Sequence, residues 1–480
     1  MIRKTTNVRN SGWNLANILI YPALFLAATP YFIDKLSASV FGEWMLINSY
    51  IYISVHLMGF GLPDSITAHV ARAVGLKDRN KLYAYINASG SLLGKMASVS
   101  LLVALILLIL YFTGFTFFRD EVWLSLIVAT LIIHLRFPEI LFQSVFKGFE
   151  RYDIAAIYNM TGKILALAVQ LYLVTTGYSL VGIFSGSLAV MVLIIAWQGA
   201  YLRGLMPGFK IKIFTRYKER KELYQFGFWS WLQTAISIAS FQMDRFIVAG
   251  FLGTATVAYY VLASSIANHL NMAFDAIVAW ILPKVSRLRE SLVNTKGYFH
   301  TIRAFSIGSS LLVIVGLYFI SGPLFTLWLG PEKYMKMIGF FRLFMIFEAF
   351  LILAIVPKFY LNAIRELAFN TILEFVTKSA VIIGMISSFV FFRSAESLIW
   401  GQILALALSM PVIYYLINKR LLHEKPFKES ILTQLPSLMI MGVLLTNTNY
   451  LSAIFMTLAA LFFWSVYIND KHFDLKLLSE

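Results

Sequence analysis

The stretch FQMDRFIVAG, residues 241–250, lies inside a long apolar segment and yet carries Asp244 and Arg245 side by side. The whole chain has the same apolar character, because 59% of its 480 residues are hydrophobic and only 13% are charged. With a mean hydropathy of +0.76, it lies far outside the range of soluble globular proteins. The sequence therefore predicts an all-α protein in a lipid bilayer, where two adjacent charges need an explanation.

Apolar segments of this kind recur along the chain. A helix that spans a bilayer needs roughly 20 mostly apolar residues, so about fourteen spans fit the sequence. We place them at residues 12–33, 40–62, 84–113, 122–146, 153–176, 179–201, 223–251, 256–283, 301–322, 337–357, 366–392, 397–418, 431–449 and 451–469. No Ala-x-Ala-like site precedes the first span, so we expect no cleavable signal peptide. The chain has no cysteine, which excludes disulfides and thiolate metal sites.

The basic residues are unevenly distributed between the two sides of the predicted membrane. The formal charge is +16, and 29 of the 40 lysines and arginines fall at the termini and in the loops that would face one side. Because cytoplasmic loops collect lysine and arginine, we expect both termini to be cytoplasmic. The same bias explains the net charge without nucleic acid as a partner. The opposite loops are short, so function is expected between the helices.

A weak internal repeat divides the chain into two halves. Residues 9–75 align with residues 224–290 at a constant shift of 215, which matches Arg72 with Arg287. Each half would hold six spans and begin in the cytoplasm, as in a parallel repeat about an axis normal to the membrane. Chance similarity between apolar helices is the alternative. The predicted domains are an N-terminal lobe (1–202), a basic cytoplasmic linker (203–222), a C-terminal lobe (223–420), and two further spans with a cytoplasmic tail (421–480).

Three glycine-containing segments bear on the helix geometry. The segment GFGLP, residues 59–63, predicts a break or bend in the second span. The segments GSLLG (90–94) and GIFSG (182–186) have the small-xxx-small spacing that permits close approach of neighbouring helices.

Several short segments resemble a known family. They are RNSGWNLANILIYPALFLAATPYF (9–32), VFGEW (40–44), MDRFIVAG (243–250) and GTATVAYY (253–260). With the twelve-plus-two spans, they make the chain similar to Wzx-type polysaccharide flippases of the multidrug, oligosaccharidyl-lipid and polysaccharide (MOP) exporter superfamily. In that family the turn before spans 2 and 8 usually carries Val-Gly-x-Tyr, whereas here Ala258 replaces the glycine.

The resemblance implies a transporter rather than an enzyme, with no catalytic residues, no cofactor and no metal. Its substrate would be an undecaprenyl-diphosphate-linked oligosaccharide, such as an O-antigen repeat unit. Alternating access of two six-helix lobes would carry the substrate from the cytoplasmic to the periplasmic leaflet of the bacterial inner membrane. The implied partners are this lipid-linked oligosaccharide, membrane lipids, and the polysaccharide polymerase and chain-length machinery.

Ionisable residues inside the spans are the candidate site residues, since each costs roughly 2.5–3.5 kcal/mol to insert at the bilayer centre. In the first half, Lys95, Arg136 and Lys163 predict a cationic cavity that binds a diphosphate or an acidic sugar. Glu139 lies three residues after Arg136 and can neutralise it instead. Interhelical pairing or snorkelling is the alternative for the two lysines.

The second half supplies acids, namely Asp244, Asp275, Glu348 and Glu374. Of these we take Asp244, Asp275 and Glu374 as candidates for coupling transport to a proton or sodium gradient. Arg245 and Lys378 are further candidates for substrate binding. Glu374 and Lys378 are spaced i,i+4 and can form a structural pair instead.

Asp244 and Arg245 point about 100° apart on a helix, so they cannot simply neutralise each other. We expect Arg245 to face an anionic passage, and Asp244 to meet a helix of its own lobe or to titrate. The alternative is that both side chains lie near the exterior end of span 7 and are solvated there.

Two other classes of protein, and one other kind of flippase, are the alternatives. A drug or metabolite antiporter of the same superfamily would have an acidic cavity in its first half, whereas the candidate residues here are basic. A membrane glycosyltransferase or polymerase needs a sizeable exterior loop for its chemistry, and the predicted loops are too short. A peptidoglycan-precursor flippase remains open, because the sequence does not identify the sugar.

Overall fold

Long apolar runs in a bilayer must satisfy their backbone hydrogen bonds internally, and they do so here as helices. The computed structural model describes residues 7–114, 118–206, 217–278, 296–419, 437–438 and 441–442. Within these residues, nine helices are long and apolar enough to cross a membrane, or ten if one bent pair counts as a span. The chain is therefore a multi-pass membrane protein. Apart from four helical residues, the last two predicted spans lie outside the described residues, so the count of fourteen stays a prediction.

The described helices follow the first twelve predicted spans in order. The first six are α1 (Asn7–Met58), α2 (Leu62–Gly75), α3 (Arg79–Phe112), α4 (Asp120–Gly148), α5 (Tyr152–Thr175) and α6 (Leu180–Leu205). The others are α7 (Tyr217–Leu252), α8 (Thr254–Val278), α9 (Lys296–Leu329), α10 (Pro331–Leu351), a short 3-10 helix (Ile352–Ala354), α11 (Ile355–Ala363), α12 (Leu367–Phe392) and α13 (Ala395–Ile417).

Helix α1 contains two predicted spans and is interrupted between them. Its 52 residues far exceed the roughly 20 that a bilayer requires, and Ser37 breaks the helix with φ 71° and ψ 158°. A second break falls in the GFGLP segment, where Phe60 and Gly61 have positive φ and the axes of α1 and α2 differ by 49°. This confirms the break predicted in the second span.

The turns between helices repeat along the chain. Four pairs of residues with positive φ are separated by 215 or 216 positions: Ser37 and Gly253, Gly114 and Gly330, Glu150 and Arg365, Gly177 and Arg393. Each of these residues lies between two helical segments. Positive φ is uncommon for residues other than glycine, and three of the four pairs include such a residue. The turns therefore follow the repeat that the sequence alignment predicted.

The chain divides into two compact units, residues 1–242 and 243–480, and the boundary falls inside α7. In the first unit, α4 contacts α1, α2, α3, α5 and α6, so it is the central helix of that bundle. In the second unit, α10 contacts α8, α9 and α13, and it buries almost every residue from Met337 to Leu351. Each unit therefore has a central helix on which a buried polar group can be held.

The start of α7 is hydrogen-bonded to α2 and α3 of the first unit. Ser65 Oγ donates a hydrogen bond to the carbonyl oxygen of Leu223 at 2.7 Å, and Tyr85 Oη donates to Glu222 Oε2 at 2.6 Å. Within the predicted linker at 203–222, residues 207–216 lie outside the described residues, while 217–222 form the first turns of α7.

Glycines allow neighbouring helices to approach closely at several places in the described residues. In GIFSG, a Cβ on Gly186 would lie 2.5 Å from Leu173 Cδ1, so the predicted close approach is present between α5 and α6. In GSLLG, a Cβ on Gly94 would meet nothing within 4 Å, so the prediction of close approach at Gly94 was wrong. The tightest contact joins α12 and α13, where a Cβ on Gly401 would overlap the carbonyl of Gly384.

Substituting Gly401 with valine is expected to lower the stability of the second unit. The new side chain must separate α12 from α13, and overpacking of this kind costs about 1–3 kcal/mol. Thermal unfolding of the purified protein measures the loss. Gly316→Ala is the matched control, because a Cβ on Gly316 in α9 would meet nothing within 4 Å. Equal unfolding temperatures for both variants would contradict the assigned role of the Gly384–Gly401 contact.

Candidate functional site

A polar cavity lies inside the first unit, between α1, α4, α5 and α6. Its volume is about 130 Å³. The polar side chains that line it are Tyr21, Asn48, Arg136, Glu139, Asn159, Lys163, Gln170 and Ser187. Two of the three basic residues predicted from the first half, Arg136 and Lys163, are therefore brought together in one cavity. We call it the first-unit cavity.

Lys95 is placed elsewhere. Its side chain is exposed on α3, and it is not among the residues that line the first-unit cavity. An isolated lysine in an apolar span gives no indication in the sequence of the direction in which its side chain points. The structure therefore separates Lys95 from the other two predicted cations.

Arg136 forms an ion pair inside the first-unit cavity. Its Nη1 donates to Glu139 Oε2 at 2.7 Å, and the two residues are three apart on α4. The side chain of Arg136 is 40% exposed and that of Glu139 is 13% exposed. The neutralising pair that the sequence left open is thus present, and much of the charge of Arg136 is offset within the wall of the cavity.

Lys163 supplies the positive charge that remains. Its Nζ lies 5.5 Å from the centroid of the Tyr21 ring, a distance typical of a cation–π contact. In the described part of the chain, no carboxylate oxygen lies within 4.0 Å of this nitrogen. The first-unit cavity consequently carries about one uncompensated positive charge when Lys163 is protonated, because the Arg136–Glu139 pair has no net charge.

Three amide side chains in the first-unit cavity were missed by reasoning from charges alone. Asn48 Nδ2 donates to the carbonyl oxygen of Trp44 at 2.8 Å, and Gln170 Nε2 donates to Ser187 Oγ at 2.9 Å. The amide of Asn159 makes no hydrogen bond with the described residues. Polar residues within apolar spans are themselves a signal of a site or an interhelical contact, and Asn159 lies in a predicted span.

The second unit contains a cluster of charged residues, which we call the ionic cluster: Asp275, Glu348, Lys358, Glu374 and Lys378. Lys358 Nζ donates to Asp275 Oδ2 at 3.1 Å. Glu348 is only 1% exposed, and its Oε2 accepts a hydrogen bond from Asn271 Nδ2 at 3.1 Å. The cluster has three carboxyl groups and two lysines, so its net charge is −1 when all five groups are charged.

Glu374 and Lys378 belong to the ionic cluster as neighbours on α12. The charges of Glu374 and Lys378 lie close enough to Lys358 and Asp275 for all four groups to interact. The structure therefore brings together three predicted site residues, Asp275, Glu374 and Lys378. The i,i+4 relation between Glu374 and Lys378 does not isolate them as a separate pair.

Two members of the ionic cluster were not among the predicted site residues. Glu348 stands out in the sequence only as an acid within a span, although α10 buries it completely. Lys358 follows directly after the predicted end of its span at residue 357, where a lysine resembles a cytoplasmic flanking residue. The structure continues through a 3-10 helix into α11, which places Lys358 against Asp275.

Asp244 is held by a hydrogen-bonded network in the second unit. Tyr260 Oη donates to Asp244 Oδ2 at 2.9 Å, and Gln402 Nε2 donates to Tyr260 Oη at 3.0 Å. Tyr260 is fully buried, and the other oxygen of Asp244 accepts the backbone N–H of Arg245 at 2.7 Å. Asp244 therefore meets α8 of its own unit, one of the two outcomes expected from the sequence. The structure does not bring Asp244 or Arg245 into the ionic cluster.

Comparison of the sequence with known proteins identifies its relatives. The profile of the family described as Polysaccharide biosynthesis protein matches residues 8–289. A Shigella flexneri protein described as "Putative O-antigen transporter" is 22% identical over 361 residues, which cover 73% of this chain and 83% of the relative. A Bacillus subtilis (strain 168) protein, "Uncharacterized membrane protein EpsK", is 24% identical over 344 residues, or 67% of this chain and 65% of the relative.

Solved structures share the fold at low sequence identity. The lipid II flippase MurJ, in an inward closed conformation, has a TM-score of 0.62 and 15% identity, covering 94% of this chain and 99% of MurJ. A multidrug resistance MATE family transporter in an inward-facing conformation has a TM-score of 0.58 and 14% identity. The match covers 90% of this chain and 99% of that transporter. A third similar structure is a MOP superfamily transporter from Pyrococcus furiosus, described by the reverse polarity of its binding pocket. It has a TM-score of 0.53 and 14% identity, and the match covers 84% of this chain and 93% of that transporter. The chain thus belongs to the Polysaccharide biosynthesis protein family and has the fold of MOP superfamily transporters, which confirms the family indicated by its sequence motifs.

Proposed function

We propose that this protein is a flippase that moves an undecaprenyl-diphosphate-linked oligosaccharide, such as an O-antigen repeat unit, from the cytoplasmic to the periplasmic leaflet. The two units would give alternating access to the two sides of the membrane. The family membership and the similarity to an O-antigen transporter support this proposal. The protein acts as a transporter, not as an enzyme.

The polarity of the first-unit cavity is the observation that carries the proposal. Lys163 has no carboxylate partner within 4.0 Å among the described residues, and the side chain of Arg136 is 40% exposed beside Glu139. Anionic groups of a lipid-linked glycan would meet these cations in a site of low dielectric constant, where such contacts are stronger than in water. A transporter of cationic drugs needs the opposite polarity.

Deletion of the gene in its host tests the proposal. We expect an undecaprenyl-linked oligosaccharide to accumulate in the cytoplasmic leaflet, and export to return when the parent gene is supplied. Accumulation of a peptidoglycan precursor instead would favour a second candidate function, that of a peptidoglycan-precursor flippase. The similarity to the MurJ fold is the observation that favours this candidate. Unchanged lipid-linked glycans together with increased drug sensitivity would favour an antiporter.

We propose that the protein lies in the bacterial inner membrane with both termini in the cytoplasm. The distribution of 29 of 40 basic residues to one side supports this orientation. Reporter fusions at Lys218 and Glu480 are expected to be active only when the reporter functions in the cytoplasm. Activity of a periplasm-specific reporter at both positions would contradict the orientation. The polysaccharide polymerase and chain-length machinery are the proposed protein partners in this membrane.

Transport is proposed to be coupled to a proton or sodium gradient through carboxyl groups of the second unit. Asp275 and Glu374 of the ionic cluster are candidates, as is Asp244 in its separate network. A carboxyl group whose proton affinity differs between two conformations shifts their populations when it is protonated. Glu348 joins these candidates because of its burial.

A further inference from the structure

We infer that the first-unit cavity is a subsite for one acidic pyranose, a sugar ring that carries a single carboxylate. This inference rests on the proposed function and narrows it, because it assigns the cavity to the glycan and not to the diphosphate of the lipid carrier. Three independent features of the first-unit cavity support it: its charge, its hydrogen-bonding groups and its size.

The charge of the first-unit cavity matches one carboxylate. The 2.7 Å pair between Arg136 and Glu139 is neutral as a whole, so among the described residues that line the cavity Lys163 alone is uncompensated. One carboxylate balances this charge. A diphosphate linkage carries a charge on each phosphate, which would leave excess negative charge beside the carboxylate of Glu139 in a poorly solvated site.

The amide groups of the first-unit cavity match sugar hydroxyls. Asn159 offers both an N–H donor and a carbonyl acceptor that are not used by the described residues. Asn48 donates to Trp44, while its Oδ1 has no partner in the described part of the chain. Hydroxyls both donate and accept hydrogen bonds, whereas phosphate oxygens only accept. Amide oxygens facing a diphosphate would lack a donor, so the polar wall fits a sugar better.

The size of the first-unit cavity limits it to one ring at most. Its volume of about 130 Å³ is slightly below that of an engineered cavity of about 150 Å³ that holds one benzene molecule, which leaves no room for a second ring. The aromatic ring of Tyr21 lines the same space, and aromatic side chains offer an apolar face to the C–H groups of a sugar. The rest of the oligosaccharide would have to lie outside the first-unit cavity.

Binding measurements with small probes test the inference. The full-length protein in lipid nanodiscs is titrated with a methyl hexuronide, the matched neutral methyl hexoside and inorganic pyrophosphate, using saturation-transfer NMR. We expect the hexuronide to bind on the order of tenfold more tightly than the neutral sugar, because it alone forms a charge-assisted contact with Lys163. Lys163→Met should abolish this preference, and Lys163→Arg should preserve it.

Further variants separate the individual contacts. Asn159→Ala should weaken the binding of both sugars. Lys147 is an exposed lysine at the end of α4, so Lys147→Met should leave the binding of both sugars unchanged. Glu139→Gln leaves the charge of Arg136 uncompensated and should strengthen pyrophosphate binding. Retention of the folded state is checked for each variant by thermal unfolding, and Lys163→Arg provides the comparison if Lys163→Met is unstable.

Two results would overturn the inference. Pyrophosphate that binds the parent as tightly as the hexuronide would assign the first-unit cavity to the diphosphate, and no binding of any probe would remove the subsite. Translocation of the intact lipid-linked oligosaccharide is measured separately in proteoliposomes. Failure of translocation contradicts the proposed flippase itself, whereas translocation without hexuronide binding contradicts only the acidic-sugar subsite.

Discussion

Replacing Lys163 with glutamate is expected to abolish glycan export in cells that depend on this protein. The change converts the uncompensated cation of the first-unit cavity into a second carboxylate beside Glu139. A hydrogen bond to a charged group contributes about 1.5–3 kcal/mol, and each 1.4 kcal/mol is a factor of about ten in affinity. Loss of the contact alone should reduce binding about ten- to hundredfold, and repulsion should reduce it further.

Three variants control this experiment. Lys163→Arg preserves the charge and should retain most export, and Lys147→Glu places the same charge reversal on an exposed position. Lys95→Glu tests whether the exposed lysine of α3 has a role outside the first-unit cavity. Protein abundance in the membrane is measured for every variant. Export by Lys163→Glu at the parental rate would contradict the assignment of the cavity to the anionic substrate.

Glu348→Gln is expected to remove the dependence of transport on a proton gradient. Glu348 is buried to 1% exposure and has Asn271 as its hydrogen-bond partner, with no lysine or arginine nitrogen within 4.0 Å in the described residues. A buried carboxyl group that gains or loses a proton between two conformations links their populations to the proton gradient. Glutamine cannot titrate, so transport should no longer respond to pH differences across the membrane.

Asp244→Asn is the comparison for the ion-coupling experiment. Tyr260 and Gln402 already enclose Asp244 in a network across α7, α8 and α13. Asparagine keeps an acceptor for Tyr260, so we expect the fold to survive, and the gradient response of this variant then distinguishes Asp244 from Glu348 as the coupling residue. A gradient response lost in Asp244→Asn but retained in Glu348→Gln would make Asp244 the coupling residue. No gradient response in the parent would remove ion coupling altogether.

Much of the fold was predictable because hydropathy and turn residues act locally. Local patterns predicted the all-helical architecture and the break at GFGLP, and the described residues show both, together with turns that recur 215 or 216 positions apart. Nine or ten of the described helices are long and apolar enough to be membrane spans. The extension of the tenth span through α11 was missed, since Pro357 and Lys358 resemble the end of a helix. The segment from residue 331 to residue 363 is predominantly apolar, and its helical structure continues past these two residues.

The candidate site was only partly predictable because its contacts join distant parts of the chain. The spacing of Arg136 and Glu139 on one helix left an ion pair open as the alternative to substrate binding by Arg136, and the structure contains that pair. Asp275 and Lys358 are 83 residues apart, and no local pattern joins them. Lys95 and Lys163 look alike in sequence, since a helix that is apolar on every face gives no amphipathic stripe to show which way a side chain points. The amide of Asn159 carries no charge and therefore escaped a search based on charge.

The proposed function requires that this chain translocates a lipid-linked glycan and that Lys163 contacts the glycan. The most direct measurement compares the parent protein with Lys163→Ala in proteoliposomes loaded with an undecaprenyl-diphosphate-linked oligosaccharide that contains an acidic sugar. Accessibility of the glycan to an external lectin reports translocation. We predict rapid translocation by the parent, a rate reduced about tenfold or more in Lys163→Ala, and a parental rate in Lys147→Ala. Equal rates for the parent and Lys163→Ala, or no translocation by the parent, would contradict the claim.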